Sequence, residues 1–148
     1  MAKNGTLVKK IDILLIARRI RFLGIAIGTG IILIYSLGLF VSGNYINNEL
    51  FHFNILSLVL TAVLCFPSFF IKKFLFKKIN SKNFATAYFN AHIVPFALCD
   101  LGGLFCITTN LFVNQNIIYA TAGLAVALLF LIINFPGFND YDNLNLER

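Results

Sequence analysis

All twelve Lys and Arg residues of this chain fall in three places, and four long apolar stretches alternate with those places. The basic groups run from Lys3 to Arg21, from Lys72 to Lys82, and end at Arg148; the other two connections carry none. Charges are costly inside hydrocarbon, and Lys and Arg concentrate in cytoplasmic flanks. The alternation therefore predicts four membrane crossings with the N-terminus and the C-terminus both cytoplasmic. Composition agrees. With 59% hydrophobic residues, 12% charged residues and a mean hydropathy of +0.84, a soluble domain of this size could not cover its apolar surface. At roughly 20 residues per crossing, 148 residues hold four spans and short connections, with no separate soluble domain.

The expected fold is all-α: a four-helix transmembrane bundle forming one membrane domain. Its spans fall at about 22–41, 54–71, 84–113 and 117–135, with a basic extension at 1–21 and an acidic tail at 139–148. Arg18, Arg19 and Arg21 are expected to snorkel to the headgroups from an extension of helix 1. Lys72, Lys73, Lys77 and Lys78 are expected to face anionic lipid at the cytoplasmic hairpin, which turns at Asn80-Ser81-Lys82-Asn83. The net charge of +6 is thereby explained by topology, and nucleic acid is discounted as a partner. Val41-Ser42-Gly43 offers a signal-peptide cleavage site, but an apolar region of twenty residues exceeds the roughly 7–15 of such segments and reads as a span. Tyr45, Tyr88, Tyr119 and Tyr141 fall near span ends, where tyrosine serves as an interfacial anchor. The short link Asn114-Gln115-Asn116 makes helices 3 and 4 antiparallel neighbours, and Pro67 and Pro95 mark expected bends. The expected location is a bacterial inner membrane.

Asp100 is the one acid placed inside a span, which makes it a functional candidate. A carboxylic acid in a low-dielectric setting can donate a hydrogen bond in its neutral form, or exchange its proton. Around a helical wheel, His92, Cys99, Gly103 and Asn110 lie within roughly 100° of Asp100, while Val94, Leu98, Leu101, Phe105 and Phe112 point elsewhere. Helix 3 is thus expected to have a polar inner face and a lipid face. The structural alternative is that Asp100 fastens helices together through Thr61, Tyr35 or Ser36. His92, the second candidate proton binder, lies eight residues and about 12 Å away, and is expected at the interface beside Asn90 and Tyr88. Gly24, Gly28 and Gly103 are expected to permit close helix packing, either within the bundle or at a dimer face. Cys65, Cys99 and Cys106 lack the spacing of a metal site or a redox pair and read as buried thiols. No nucleophile motif, phosphate loop or metal motif occurs, so neither an enzyme nor a cofactor is expected.

The segment Ala97-Leu98-Cys99-Asp100, followed by Gly102-Gly103-Leu104-Phe105, resembles the carboxylate helix of rotary ATPase proteolipid subunits. The resemblance implies that Asp100 corresponds to the proton-binding acid and that oligomers form. It covers about ten residues. The glycine-rich motif of that family precedes the acidic helix directly, whereas here Gly24, Gly28 and Gly30 stand on helix 1.

Size and the lack of soluble domains point to a non-enzymatic subunit or accessory of a larger membrane complex, with protein partners or a homo-oligomer in the membrane. The alternative is a proton- or ion-translocating element centred on Asp100. A small-molecule transporter is a third class, for which a larger chain or inverted repeats would be expected.

Overall fold

The computed structural model describes residues 3–42, 50–79 and 83–137, and among these it contains helices and no strand. Helix α1 spans Lys3–Val41, α2 Phe51–Phe76, α3 Phe84–Ile107 and α4 Ile117–Ile133. A π-helical turn, Thr108–Val113, continues α3 without a break. The turn at 80–82, the tail at 139–148, Tyr45 and Tyr141 lie outside the described residues.

Three segments are long and apolar enough to cross a membrane: Leu14–Val41, Phe51–Phe76 and Phe84–Val113. Helix α4 is apolar but shorter, 17 residues or about 25 Å of rise. It still runs beside α2 for most of that helix. Tyr119 packs edge-on against Phe51 at one end, and Lys72 bonds the carbonyls of Asn134 and Phe135 at the other.

The distribution of residue types is the reverse of a soluble bundle. Among the described residues of α2, those fully buried are Asn54, Ser57, Thr61, Cys65 and Ser68, and in α4 they are Ala120, Gly123, Ala127 and Leu131. Large apolar side chains instead point out from all four helices, including Leu33, Phe66, Leu101 and Ile132. Water would penalise such a surface, whereas lipid tails solvate it; small and polar residues inside let the backbones approach and hydrogen-bond. This pattern supports an integral membrane bundle independently of helix length.

Glycine contacts fix the register. A Cβ added to Gly24 would meet Phe135 and Phe96, one on Gly103 would meet Ala127 and Ile31, and one on Gly38 would meet Leu111 and Phe112. Residue 24 thus lies beside 96 and residue 31 beside 103, so α1 and α3 run parallel in constant register. Helices α2 and α4 run opposite to them: Ser68 meets Cys99, while Ser57 meets Asn110. Helices α3 and α4 approach closely through reciprocal small residues, Gly103 against Ala127 and Gly123 against Cys106. Pro67 and Pro95 are accommodated inside continuous helices.

Candidate functional site

The polar groups buried in the bundle form one seam, and α2 supplies its backbone. Asn54, Ser57, Thr61, Cys65, Ser68 and Lys72 follow one another at intervals of three or four residues and so share one helix face. Asn114 Nδ2 donates to Asn54 Oδ1 and, at 3.2 Å, to the Leu50 carbonyl. One turn further, Asn110 Nδ2 donates to Ser57 Oγ at 2.7 Å and to the Cys106 carbonyl at 2.7 Å. The Thr61 hydroxyl is shared between the carbonyls of Ser57 and Gly102, each at 2.8 Å. Gly102 permits this contact, since a Cβ there would lie 3.3 Å from Thr61 Cα. Ser68 Oγ then accepts from Asn134 Nδ2 at 2.8 Å and from the Cys99 thiol at 3.7 Å.

The seam ends at the last turn of α4, whose carbonyls lack helical donors. Lys72 Nζ donates to Asn134 O at 3.0 Å and Phe135 O at 2.8 Å, and Arg21 donates to Pro136 O at 3.1 Å. Two cations therefore meet the negative end of the α4 dipole. The sequence assigns both residues to lipid headgroups; in the structure their heads turn inward to cap a helix. Arg18, Arg19, Lys73, Lys77 and Lys78 remain exposed. Lys73 lies 4.2 Å from the centroid of the Phe69 ring, and Lys78 4.3 Å from that of Phe74.

His92 lies at the same basic end, near Phe76 of α2, and is fully buried within the bundle. Its ring sits 4.7 Å from that of Tyr88, 5.3 Å from Phe76 and 6.5 Å from Phe96, centroid to centroid. Nδ1 donates to the Tyr88 carbonyl at 2.9 Å, since a carbonyl can only accept. Aromatic packing and this bond anchor the imidazole.

Asp100 lies outside the seam. Three residues before Gly103 it is turned about 60° to one side of it, while Gly102, which packs on Thr61 of α2, is turned about 100° to the other. Asp100 therefore looks along the α1 side of α3 toward the bundle surface and is partly exposed, next to the exposed Ala97 and Leu101. Its carboxyl makes no hydrogen bond or ion pair among the described residues. None of the three fasteners considered from sequence reaches it: Thr61 bonds backbone carbonyls, Tyr35 pairs with Thr121 at 2.6 Å, and Ser36 bonds Ile32 O at 2.8 Å. Gly24 and Gly28 both face the interior, but Gly24 is far tighter. Its added Cβ would overlap the Phe135 ring, whereas one on Gly28 would lie 3.8 Å from Leu128.

Sequence reasoning placed the polar interior on α3 and missed the larger contribution of α2. The signal was present in the spacing from Asn54 to Lys72. The π turn was not foreseen. It carries buried Asn110, and Asn114 N bonds Thr109 O across it at 3.1 Å. Among the described residues no group of His, Cys, Asp and Glu is placed to hold a metal ion. No protein-family model, curated protein or solved structure matches this chain.

Proposed function

We propose that this protein is a non-enzymatic subunit or accessory of a larger membrane assembly, in which Asp100 is satisfied by another polypeptide. One observation carries the reading. The bundle provides hydrogen bonds for the amide nitrogens of Asn110 and Asn134 and the hydroxyls of Ser57 and Thr61 in its interior, yet leaves the one carboxyl of α3 partly exposed and unbonded at mid-helix. A carboxyl facing hydrocarbon is unfavourable, and a donor on a docked helix removes that penalty. The basic end then faces the cytoplasm, where Lys73, Lys77 and Lys78 meet anionic headgroups.

The test is the mass of the intact particle extracted with its native lipid. A mass well above the 16.6 kDa of one chain is expected, with a fall toward that value in Asp100→Leu. A 16.6 kDa particle at every protein-to-lipid ratio contradicts the proposal. Proton flux through liposomes holding this protein alone, abolished in Asp100→Asn, would replace it with translocation. The geometry favours translocation less, because Asp100 and His92 are not brought together and His92 is enclosed by aromatic rings.

A further inference from the structure

Resting on the reading that Asp100 bonds outside its own chain, we infer that the partner is a second copy of this protein and that Asp100 of one copy meets Thr29 of the next. Copies of one polytopic chain insert in the same orientation, and rotation about the membrane normal leaves every atom at its depth. Two residues can therefore meet across such an assembly only if they lie at equal depth.

The register of the bundle supplies those depths. With residue 96 beside 24 and residue 103 beside 31, Asp100 lies level with residue 28 of α1, one residue or about 1.5 Å of rise from Thr29. Thr29 is exposed, and it is turned about 160° from the inward-facing Ile31, so it points away from the bundle. At this level α2 exposes Val63 and Phe66, and α4 exposes Leu129, all apolar. Among the described residues, Thr29 is thus the exposed polar side chain at the depth of Asp100, apart from Asp100 itself.

The chemistry and shape around Thr29 agree with that role. Its hydroxyl donates to the Ile25 carbonyl at 2.9 Å, which leaves oxygen lone pairs to accept a carboxylic-acid proton. The hydroxyl hydrogen can also turn toward a carboxylate. Gly30 beside it has open space where a side chain would stand, and Ala26, one turn away, is exposed. Ala26 and Gly30 form a small-xxx-small pair on the outer face of α1, where a neighbouring backbone can approach closely. Asp100 and the Thr29 hollow occupy different faces, so the contact is head-to-tail. It leaves each copy with one donor face and one acceptor face.

Disulfide trapping tests this in membranes holding two differently tagged copies, one Gly30→Cys and the other Leu101→Cys. Both retain Thr29 and Asp100, and the three native cysteines are buried. A mixed-tag product is expected from this pair, and none from Val63→Cys with Leu101→Cys. Thr29→Val, which keeps shape and removes the hydroxyl, should weaken association about three- to tenfold, the range of one interhelical hydrogen bond. Like-tagged products through Asp100→Cys alone would instead indicate a symmetric acid-to-acid contact and overturn the pairing. An assembly unaffected by Thr29→Val, or one with a single copy of this chain beside a different protein, would also overturn it. The single-copy result would leave the subunit reading intact, whereas a particle of one chain alone would end both.

Discussion

The two sides of α3 solve the same problem in opposite ways. Toward α2, Cys99, Gly102, Cys106 and Asn110 meet serine, threonine and cysteine on the facing helix through hydrogen bonds within the chain, although Asn110 Oδ1 is buried without a partner among the described residues. Toward α1, Phe96, Gly103 and Leu111 meet glycines and Ile31 by shape alone, and the one polar residue on that side, Asp100, bonds nothing among the described residues. A polar residue in a span is thus not by itself an internal fastener. Its role depends on whether the adjacent helix offers a complementary group at its level. Helix α2 does so at nearly every turn, and the face of α1 packed on α3 presents glycine and isoleucine.

This contrast can be broken at several points. The largest effect is expected from Gly103→Leu, because even a Cβ there would fall 2.7 Å from Ala127 Cβ, which cannot rotate away. Helices α3 and α4 must separate, at about 3 kcal/mol or more, read as loss of resistance to unfolding in mixed micelles. Gly24→Leu should be less harmful than Gly103→Leu, because it meets the ring ends of Phe135 and Phe96, which can shift, and Gly28→Leu milder still, since its neighbours are at ordinary contact distance. Equal effects at residues 24 and 28 would contradict the register of α1. Asn110→Leu should cost about 1–2 kcal/mol in the same assay by removing the donor to Ser57 and to the Cys106 carbonyl. Asp100→Leu, assayed on the isolated chain, should change stability by less than about 0.5 kcal/mol or raise it, as no internal bond is lost. A loss as large as that of Asn110→Leu would show that the two sides of α3 do not differ. Phe105→Leu, on the lipid face, should be the mildest of all.

Much of the architecture was legible in the chain because lipid imposes length and charge rules that act locally. Each apolar stretch coincides with one of four helices; α2 extends beyond 54–71 at both ends, and α1 runs back through the basic segment to Lys3. The outward face of α3 was largely legible too: Val94, Leu101, Phe105 and Phe112 are exposed, while Leu98, placed with them, is half-buried. What could not be read from α3 alone was the direction of Asp100 relative to its neighbours. A wheel orders residues around one axis but does not say which partner helix covers each sector, and Asp100 falls in the sector between α1 and lipid. Helix α2 was underestimated for a different reason. Serine, threonine and cysteine carry little weight in a hydropathy profile, yet their three-four spacing is what α3 and α4 pack against. The π turn has no local signature, because its wider winding arises where Asn110 and Asn114 must both reach α2.

The central claim is that Asp100 acquires its hydrogen bond from outside the chain. The infrared carboxyl vibration of Asp100, assigned by its loss in Asp100→Asn, reports that bond directly when recorded in bilayers at decreasing protein-to-lipid ratio. The account predicts a hydrogen-bonded band in concentrated membranes that gives way on dilution to the band of an unbonded group, with no change in the backbone amide signal of the helices. A band position that is the same at every dilution would contradict it, since Asp100 would then have the same surroundings in the isolated chain as in the assembly.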